Sequence, residues 1–248
     1  MPRYILVHST ASTNTYLSKM AMMLPTGTVI HTTHQTEGRG QRGNSWESEP
    51  GKNVLFSMLL KKPAVPVASQ FAISEAVAVA VVEALSKYVE GLKIKWPNDI
   101  YYKDKKLCGI LIEHSIMGAG INHSILGVGI NVNQQVFVSD APNPVSLAQI
   151  MGKEVDVEEV LHGVCESIER RCAFDTYDAN EYAKLHSEFL SLLYRHDGKF
   201  YPYAKADGLR FNAKIRDVEQ FGLLVLEDEN GESNSYAFKE VQFIIENK

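Results

Sequence analysis

Six residues near the N-terminus have the composition of an anion-binding loop. The segment Gly38-Arg39-Gly40-Gln41-Arg42-Gly43 combines three glycines with two arginines. Glycines let the backbone expose its N–H groups to a ligand, and an arginine can pair with a phosphate or carboxylate through two hydrogen bonds. Arg39 and Arg42 therefore predict a site for one of these anions. The alternative is an exposed loop whose arginines bind nothing.

The same six residues satisfy the pattern G-x-G-x-x-G of dinucleotide-binding folds. That pattern requires a helix directly after the loop, because the helix N-terminus holds the pyrophosphate. Here Trp46, Pro50 and Gly51 follow instead, and then a predicted strand. A protein kinase would also carry V-A-I-K, H-R-D and D-F-G motifs, and the chain contains none of them. The context excludes both classes.

Two further segments place polar side chains beside glycines. Lys95-Trp96-Pro97-Asn98-Asp99 precedes the run KLCGILIE, which begins at Lys106 and ends at Glu113. Gly109 in that run would let a ligand approach the backbone closely. The third segment is Gly127-Val128-Gly129-Ile130-Asn131. Taken singly, the segments before Gly109 also fit a strand end, a turn and a solvated hairpin tip, and the third segment indicates only that some group approaches the backbone there.

Hydrophobic periodicity and turn residues predict the elements that carry these segments. The predicted strands are Tyr4–His8, Thr28–Gln35, Val54–Leu60, Lys93–Trp96, Ile100–Lys103, Leu107–His114 and Ser124–Val132. One helix follows an N-cap at Ser12-Thr13-Asn14, and the other predicted helices are Gln70–Val89, Ser146–Met151, Val157–Cys172 and Tyr177–Tyr194. The long polar loop between residues 36 and 53 separates two strands, and loops of this length are often functional. The pattern predicts an α+β fold with a mixed sheet.

The pattern changes near residue 197. From Phe200 to Ile245 the chain consists of short alternating strands with turn signals, including the hairpin dipeptide Asn230-Gly231. This texture predicts a small barrel at the C-terminus. We expect two domains, residues 1–197 and residues 198–248.

Composition limits the function classes. The chain has 248 residues, 45% of them hydrophobic, and a net charge of 25 − 30 = −5. This apolar content excludes a disordered protein, and the acidic balance argues against a nucleic-acid partner. Three cysteines, no C-x-x-C pair and no signal-peptide pattern favour a reduced, cytoplasmic setting. The most apolar stretch, Phe71 to Leu85, predicts a buried helix and no membrane span.

Taken together, the motifs resemble the catalytic core of the biotin protein ligases. They occur in that family's order between residues 12 and 131: Ser12-Thr13-Asn14, Gln35 with Gly38-Arg39-Gly40 and Trp46, Lys95 to Asp99, Lys106 to Glu113, and Gly127 to Asn131. The resemblance implies an α+β catalytic domain, in which helices pack on a mixed β-sheet, and an SH3-like C-terminal barrel. Because the motifs begin almost at the start of the sequence, we expect the monofunctional type, which lacks a DNA-binding domain.

The resemblance also implies a two-step reaction. Biotin's carboxylate is joined to the α-phosphate of ATP, and the biotinyl group then passes from the adenylate to a lysine of a biotin carboxyl carrier protein. ATP and biotin are the implied substrates, with Mg²⁺ as the metal, although no ligand positions for a metal are evident in the sequence. Neither a nucleic acid nor a membrane is implied as a partner, and a homodimer stays open.

Site residues follow from the matching positions. The residues implied to bind biotin are Ser12, Thr13, Asn14, Gln35, Gly38, Arg39, Lys106, Gly109 and Ile110. Those implied to bind ATP and the adenylate are Arg39, Gln41, Arg42, Trp46, Asn98, Lys106 and Asn131. In this scheme Trp46 packs on the adenine. Lys106 and Arg39 are expected to act in catalysis. We add Asp99, beside Asn98, as a group that orients or accepts the proton of the carrier lysine.

Two other functions compete with this interpretation. A lipoate or octanoate ligase or transferase of the same superfamily is one, and the transferases use a catalytic cysteine, for which Cys108 would be the candidate. A biotin-binding protein without catalysis is the other.

The sequence departs from the family's pattern at Gln41, where several family members carry arginine. Its neutral side chain removes one cation from the predicted anion site.

Overall fold

The structure, a computed structural model, describes residues 2–138, 143–176 and 178–245, except for the side chain of Arg42. Its larger sheet has seven strands in the order β1-β2-β3-β7-β6-β5-β4. These strands are β1 (Arg3–Thr10), β2 (Thr28–Gln35), β3 (Val54–Lys61), β4 (Leu92–Lys95), β5 (Asp99–Tyr102), β6 (Lys105–Met117) and β7 (Gly120–Ile130). Only β1 and β2 pair in parallel, so the predicted mixed sheet is confirmed.

Helices cover this sheet. They are α1 (Thr13–Met20), α2 (Phe71–Leu85), α3 (Leu147–Met151), α4 (Val157–Arg171) and α5 (Ala179–Leu192). The most apolar is α2, which is buried around most of its circumference and packs against α4 and α5. It ends at Leu85, four residues before the predicted end. Its neighbour α5 begins at Ala179, after the N-cap Asp178, and ends at Leu192, two residues before the predicted end. Tyr177, at the predicted start, lies outside the described residues.

Together with the 3-10 turn that precedes it, α2 forms the helical stretch Val67–Leu85, which is long and apolar enough to cross a membrane, with a mean hydropathy of 1.5. Within the protein, however, 67% of the most apolar 18 residues of this stretch are buried. Helices that fill a protein core have the same composition, because they are surrounded by apolar neighbours.

The predicted cap of α1 is only partly correct. Ser12 occupies the N-cap position with an extended backbone, but its side chain makes no capping hydrogen bond. In α3, by contrast, Ser146 accepts from the backbone of Gln149 and completes a capping box. Ser12 and the first turn of α1 are buried against the sheet, where they are available for other contacts.

The second sheet is entirely antiparallel and has the order β11-β10-β9-β8-β12. Its strands are β8 (Tyr201–Lys205), β9 (Arg210–Val218), β10 (Leu224–Asp228), β11 (Ser233–Tyr236) and β12 (Val241–Phe243). The β10–β11 hairpin turns at the predicted dipeptide, with Gly231 at φ +83°. The predicted change of texture after residue 197 therefore corresponds to a separate sheet.

Two contacts fix the second sheet against the first part of the chain. Trp96 donates from Nε1 to the carbonyl oxygen of Gly222 at 2.9 Å, and its ring meets that of Phe238 at 6.3 Å. Gly222 has φ +81°, and a Cβ there would lie 2.5 Å from the ring of Phe71. The turn after β9 therefore requires glycine at position 222, where it packs between the rings of Trp96 and Phe71.

His186 of α5 makes a third connection. Its Nδ1 lies 2.7 Å from Glu75 Oε1 in α2, and its Nε2 lies 2.9 Å from Asp217 Oδ1 in β9. The Glu75 side chain is fully buried. The hydrogen bond with Glu75, assisted by the charge of Asp217, raises the pKa of His186 to about 9. At neutral pH this histidine is a cation that joins two carboxylates from different parts of the fold.

We expect this cluster to make stability depend on pH on the alkaline side. The pKa of an unfolded histidine is about 6.5, so the stabilisation is complete below that pH and is lost as the pH rises through about 9. Thermal unfolding at fixed ionic strength should show the melting temperature falling more steeply from pH 7 to 9.5 in the wild type than in His186→Gln. Parallel curves for the two proteins would contradict the assignment.

Candidate active site

The polar segments of the sequence meet at one cavity of about 240 Å³ on the larger sheet. It is formed by the start of α1, the loop after β2, the turn before β5, and the strands β6 and β7. The predicted residues that line it are Ser12, Thr13, Asn14, Gln35, Arg39, Gln41, Trp46, Asn98, Asp99, Lys106, Gly109 and Ile110. Segments that are far apart in the chain are thus brought to a single place by the sheet order.

Three glycines form the floor of the cavity. Gly109 of β6 and Gly129 of β7 are direct partners across the sheet, and Gly127 lies two residues before Gly129 on the same strand. A Cβ at Gly109 or Gly129 would lie 2.7 or 2.6 Å from the indole of Trp46. At Gly127 it would lie 2.2 Å from Asn14 Oδ1. These positions must lack side chains for Trp46 and Asn14 to rest on the strands.

The indole of Trp46 was expected to pack on an adenine. In the structure one part of the ring lies on the floor glycines, and Lys106 Nζ is 5.5 Å from it, so the packing on an adenine stays a prediction. Its Nε1 is buried without a hydrogen-bond partner among the described residues. The Trp46 ring therefore lies on Gly109, which the sequence analysis lists among the residues that bind biotin.

The segment of residues 38–43, which we call the glycine-arginine loop, lies above this floor, and hydrogen bonds of its own backbone close it. Trp46 N donates to Gly38 O at 2.8 Å, and Gly40 N donates to Asn44 O at 2.7 Å. A Cβ on Gly38 would lie 2.4 Å from Trp46 O, so this residue shapes the loop. Gly38 is not among the described residues that line the cavity. Arg42 lies in a 3-10 turn, and its side chain is outside the described part of the structure.

One end of the cavity is a buried hydrogen-bond network. Both Thr13 N and Thr13 Oγ1 donate to Gln35 Oε1, at 2.8 and 3.2 Å. The hydroxyl of Ser57 lies within hydrogen-bond distance of Thr13 Oγ1, at 2.8 Å, and of Asn14 Oδ1. Sequence reasoning missed Ser57. The available signal was a single hydroxyl within the apolar strand β3, where a fully buried polar group needs a partner.

The two cations that are expected to act in catalysis are both paired with carboxylates. Lys106 Nζ lies 2.7 Å from Asp99 Oδ1, with side chains only 22% and 14% exposed. Arg39 Nη2 donates to Glu113 Oε2 at 2.9 Å, nearer the surface. Lys95 also lines the cavity, and burial lowers its pKa against the attraction of Asp99. The sequence placed Lys95 and Glu113 inside motifs without assigning them a role.

The two asparagines of the predicted nucleotide site serve the backbone. Asn98 Nδ2 donates to Ile110 O, and Ile110 N donates to Asn98 O at 2.9 Å, which ties the turn before β5 to β6. Asn131 is buried, and its Nδ2 donates to Val145 O at 3.1 Å. Among the described residues, Asn131 does not line the cavity. Asn131 thus holds two chain segments together, and its expected contact with a nucleotide stays a prediction.

The second sheet also reaches the cavity. Phe238, in the connection between β11 and β12, contributes to the wall on the side of Trp96. Nothing in the sequence pattern marked this residue, because it lies far from every motif. In the described residues we find no group of three His, Cys, Asp or Glu side chains that could hold a metal ion.

Comparison with known proteins identifies the family. The profile of the biotin/lipoate A/B protein ligase family matches residues 6–131, about half of the chain, and this region supplies most of the cavity. The chain belongs to this family. It is 37% identical over 103 residues to the bifunctional ligase/repressor BirA of Escherichia coli, and 35% identical over 154 residues to that of Bacillus subtilis.

These alignments cover 41% and 59% of the chain, and 32% and 46% of the two relatives. The chain thus spans less than half the length of these curated relatives. The fold matches more widely. A biotin protein ligase from Aquifex aeolicus, solved in complex with biotin and ATP, superposes with a TM-score of 0.77 at 24% identity. That match covers 98% of this chain and 100% of the other.

We expect Gly129→Ala to move the indole of Trp46, because the new methyl group would lie 2.6 Å from its ring. Trp96, the other tryptophan, is 2% exposed and should stay buried. The fluorescence emission maximum should therefore shift to longer wavelength. Gly120→Ala is the control, since a Cβ there has open space. An unchanged spectrum for Gly129→Ala would show that the ring does not rest on this glycine.

Proposed function

We propose that the protein is a biotin protein ligase. It would activate biotin with ATP to biotinyl-5'-AMP and then transfer the biotinyl group to a lysine of a biotin carboxyl carrier protein. The observation that carries the proposal is the convergence of the Thr13–Gln35 pair, Arg39 and the Lys106–Asp99 pair on one glycine-floored cavity. Membership of the family supports the same conclusion.

The first step needs positive charge, because a carboxylate must approach a phosphate. Biotin's carboxylate oxygen would attack the α-phosphorus, and the bond to pyrophosphate would break with its electron pair leaving on pyrophosphate. Lys106 and Arg39 are positioned to reduce the repulsion between the two anions and to stabilise the charge of the transition state. Mg²⁺ would be held mainly by the phosphates of ATP, where it would neutralise part of their charge.

The second step requires a neutral lysine amine. The carrier lysine would lose a proton and attack the acyl carbon, and the bond to the phosphate oxygen of AMP would break. Asp99 is the group that we propose to orient or accept this proton, because its carboxylate lies 2.7 Å from Lys106 Nζ at the same cavity. Water must be excluded from the adenylate meanwhile, and the glycine-arginine loop lies where it can cover the site.

The competing functions receive less support. A transferase that works through Cys108 would need a reactive thiolate, whereas this thiol is completely buried and burial raises its pKa. A lipoate ligase remains within the same family. A binding protein without catalysis would have no evident use for Lys106 and Asp99, held as an ion pair beside the proposed junction of the two substrates.

The remaining features complete the proposal. The five-stranded antiparallel sheet would be an SH3-like domain of residues 198–248, attached to a catalytic domain of residues 1–197. The three cysteines are all free and buried, which supports a cytoplasmic location. The acceptor would be the carrier protein, without nucleic acid or membrane as partners, and a homodimer remains part of the hypothesis.

Biotin-dependent exchange of labelled pyrophosphate into ATP tests the proposed function. We expect exchange with biotin and none with lipoate. Lys106→Ala should reduce the rate by about a hundredfold, since such losses follow removal of a group that stabilises transition-state charge. Lys105→Ala is the matched control, because Lys105 is the exposed neighbour on the same strand. Exchange with lipoate alone would select the lipoate ligase, and no exchange with either acid would select the binding protein.

Asp99→Asn tests the second step separately. The substitution preserves shape but removes the charge that would orient or accept the proton, so transfer from preformed biotinyl-5'-AMP to the carrier should slow by at least about tenfold. Single-turnover biotinylation measures this rate directly. Asp207→Asn, in an exposed turn, is the control. A transfer rate equal to that of the wild type would remove Asp99 from the mechanism.

A further inference from the structure

One carboxylate oxygen joins the two ends of the cavity. Glu113 Oε2 accepts a hydrogen bond from Asn14 Nδ2 at 2.7 Å and another from Arg39 Nη2 at 2.9 Å. Asn14 belongs to the buried network around Thr13, whereas Arg39 belongs to the glycine-arginine loop. Glu113 itself is on β6, in the rigid part of the sheet.

Asn14 holds this oxygen in a fixed place. Its side chain is 3% exposed, and its Nδ2 also lies 3.2 Å from Leu111 O. Its Oδ1 accepts from Ser57 on the other side, directly above Gly127. An amide bound at both ends and resting on a strand has no room to rotate, so the carboxylate that it contacts is held on the sheet.

Arg39 has fewer constraints of its own. Its side chain is 44% exposed, and its backbone lies in the loop that closes between Gly38 and Trp46. A long arginine side chain on a loop populates many rotamers, and ordering it upon binding weakens the affinity for a ligand. The ion pair with Glu113 occupies Nη2, one of the three guanidinium nitrogens, and fixes the direction of the planar group.

We propose that Glu113 is a positioning residue, which sets Arg39 at a fixed distance from the Asn14–Ser57–Thr13 network before substrate binds. This inference rests on the proposed function and deepens it. Biotin would span the distance, with its ring system at the network and its carboxylate at Arg39. Because the ordering of Arg39 is completed in advance, the binding of biotin does not have to supply it.

The inference predicts a particular kinetic pattern. The described contacts of Glu113 reach Asn14 and Arg39, whereas Lys106 is held separately by Asp99. Loss of the carboxylate should therefore raise the KM for biotin by a larger factor than the KM for ATP, because Lys106, the other cation at the junction, keeps its own partner. A general weakening of the fold would lower kcat and the melting temperature without separating the two substrates.

Two variants and a control measure this pattern in the exchange assay. Glu113→Ala removes both contacts and should raise the KM for biotin by about tenfold or more, the range expected for hydrogen bonds to charged groups. Glu113→Gln keeps an acceptor for Asn14 but removes the charge that holds Arg39, and should raise it by about threefold. Glu188→Gln is matched, because Glu188 is 40% exposed and also pairs with an arginine, Arg171, away from the cavity.

The outcomes separate the two proposals. A rise in the KM for biotin that exceeds any rise in the KM for ATP in both Glu113 variants, with a melting temperature close to that of Glu188→Gln, supports the inference. Wild-type values in both variants would overturn it while leaving the ligase function intact, as would a loss of stability with no change in either KM. Absence of biotin-dependent exchange in the wild type would overturn the proposed function and the inference together.

Discussion

The site depends on three positions in the middle of the larger sheet that carry no side chain. A strand normally covers each face with alternating side chains, which keep other groups away from its backbone. Here the paired positions Gly109 and Gly129, with Gly127 beside them, leave the backbone of β6 and β7 bare. Asn14 and Trp46 occupy the space directly above. The segments that carry them can converge only because these three positions have no side chains.

A second constraint is electrostatic. Cations that are to meet two anions must be held in a partly buried place, where an isolated charge is unfavourable. In the structure each of these cations is stabilised by one carboxylate. Asp99 pairs with Lys106, and Glu113 pairs with Arg39. The cavity can therefore contain strong cations while the protein as a whole stays acidic. The pairs differ in burial, since Lys106 and Asp99 are the more enclosed.

Sequence reasoning predicted the sheet, most of the helices and most of the cavity wall, because those features depend on local patterns and on motif order. It could not predict partners that are set by strand register. Ser57 is the direct partner of Gly127 across β3 and β7, and only this pairing brings its hydroxyl beneath Asn14. The partner of Asn131 could not be predicted for the same reason, since its amide donates to Val145 O of a segment outside every motif. The position of the Trp46 ring on the glycines depends on how the glycine-arginine loop closes, and no local sequence pattern predicts that closure.

The wall formed by Phe238 has a consequence for how the protein is made. A chain leaves the ribosome from its N-terminus, and its early parts begin to fold while the rest is still being synthesised. The glycine floor and both ion pairs are complete once β7 has formed, but the cavity gains its last wall only after the connection between β11 and β12 emerges. A nascent chain can thus fold its main sheet well before it possesses a complete cavity, and the finished site coincides with the release of nearly the whole polypeptide.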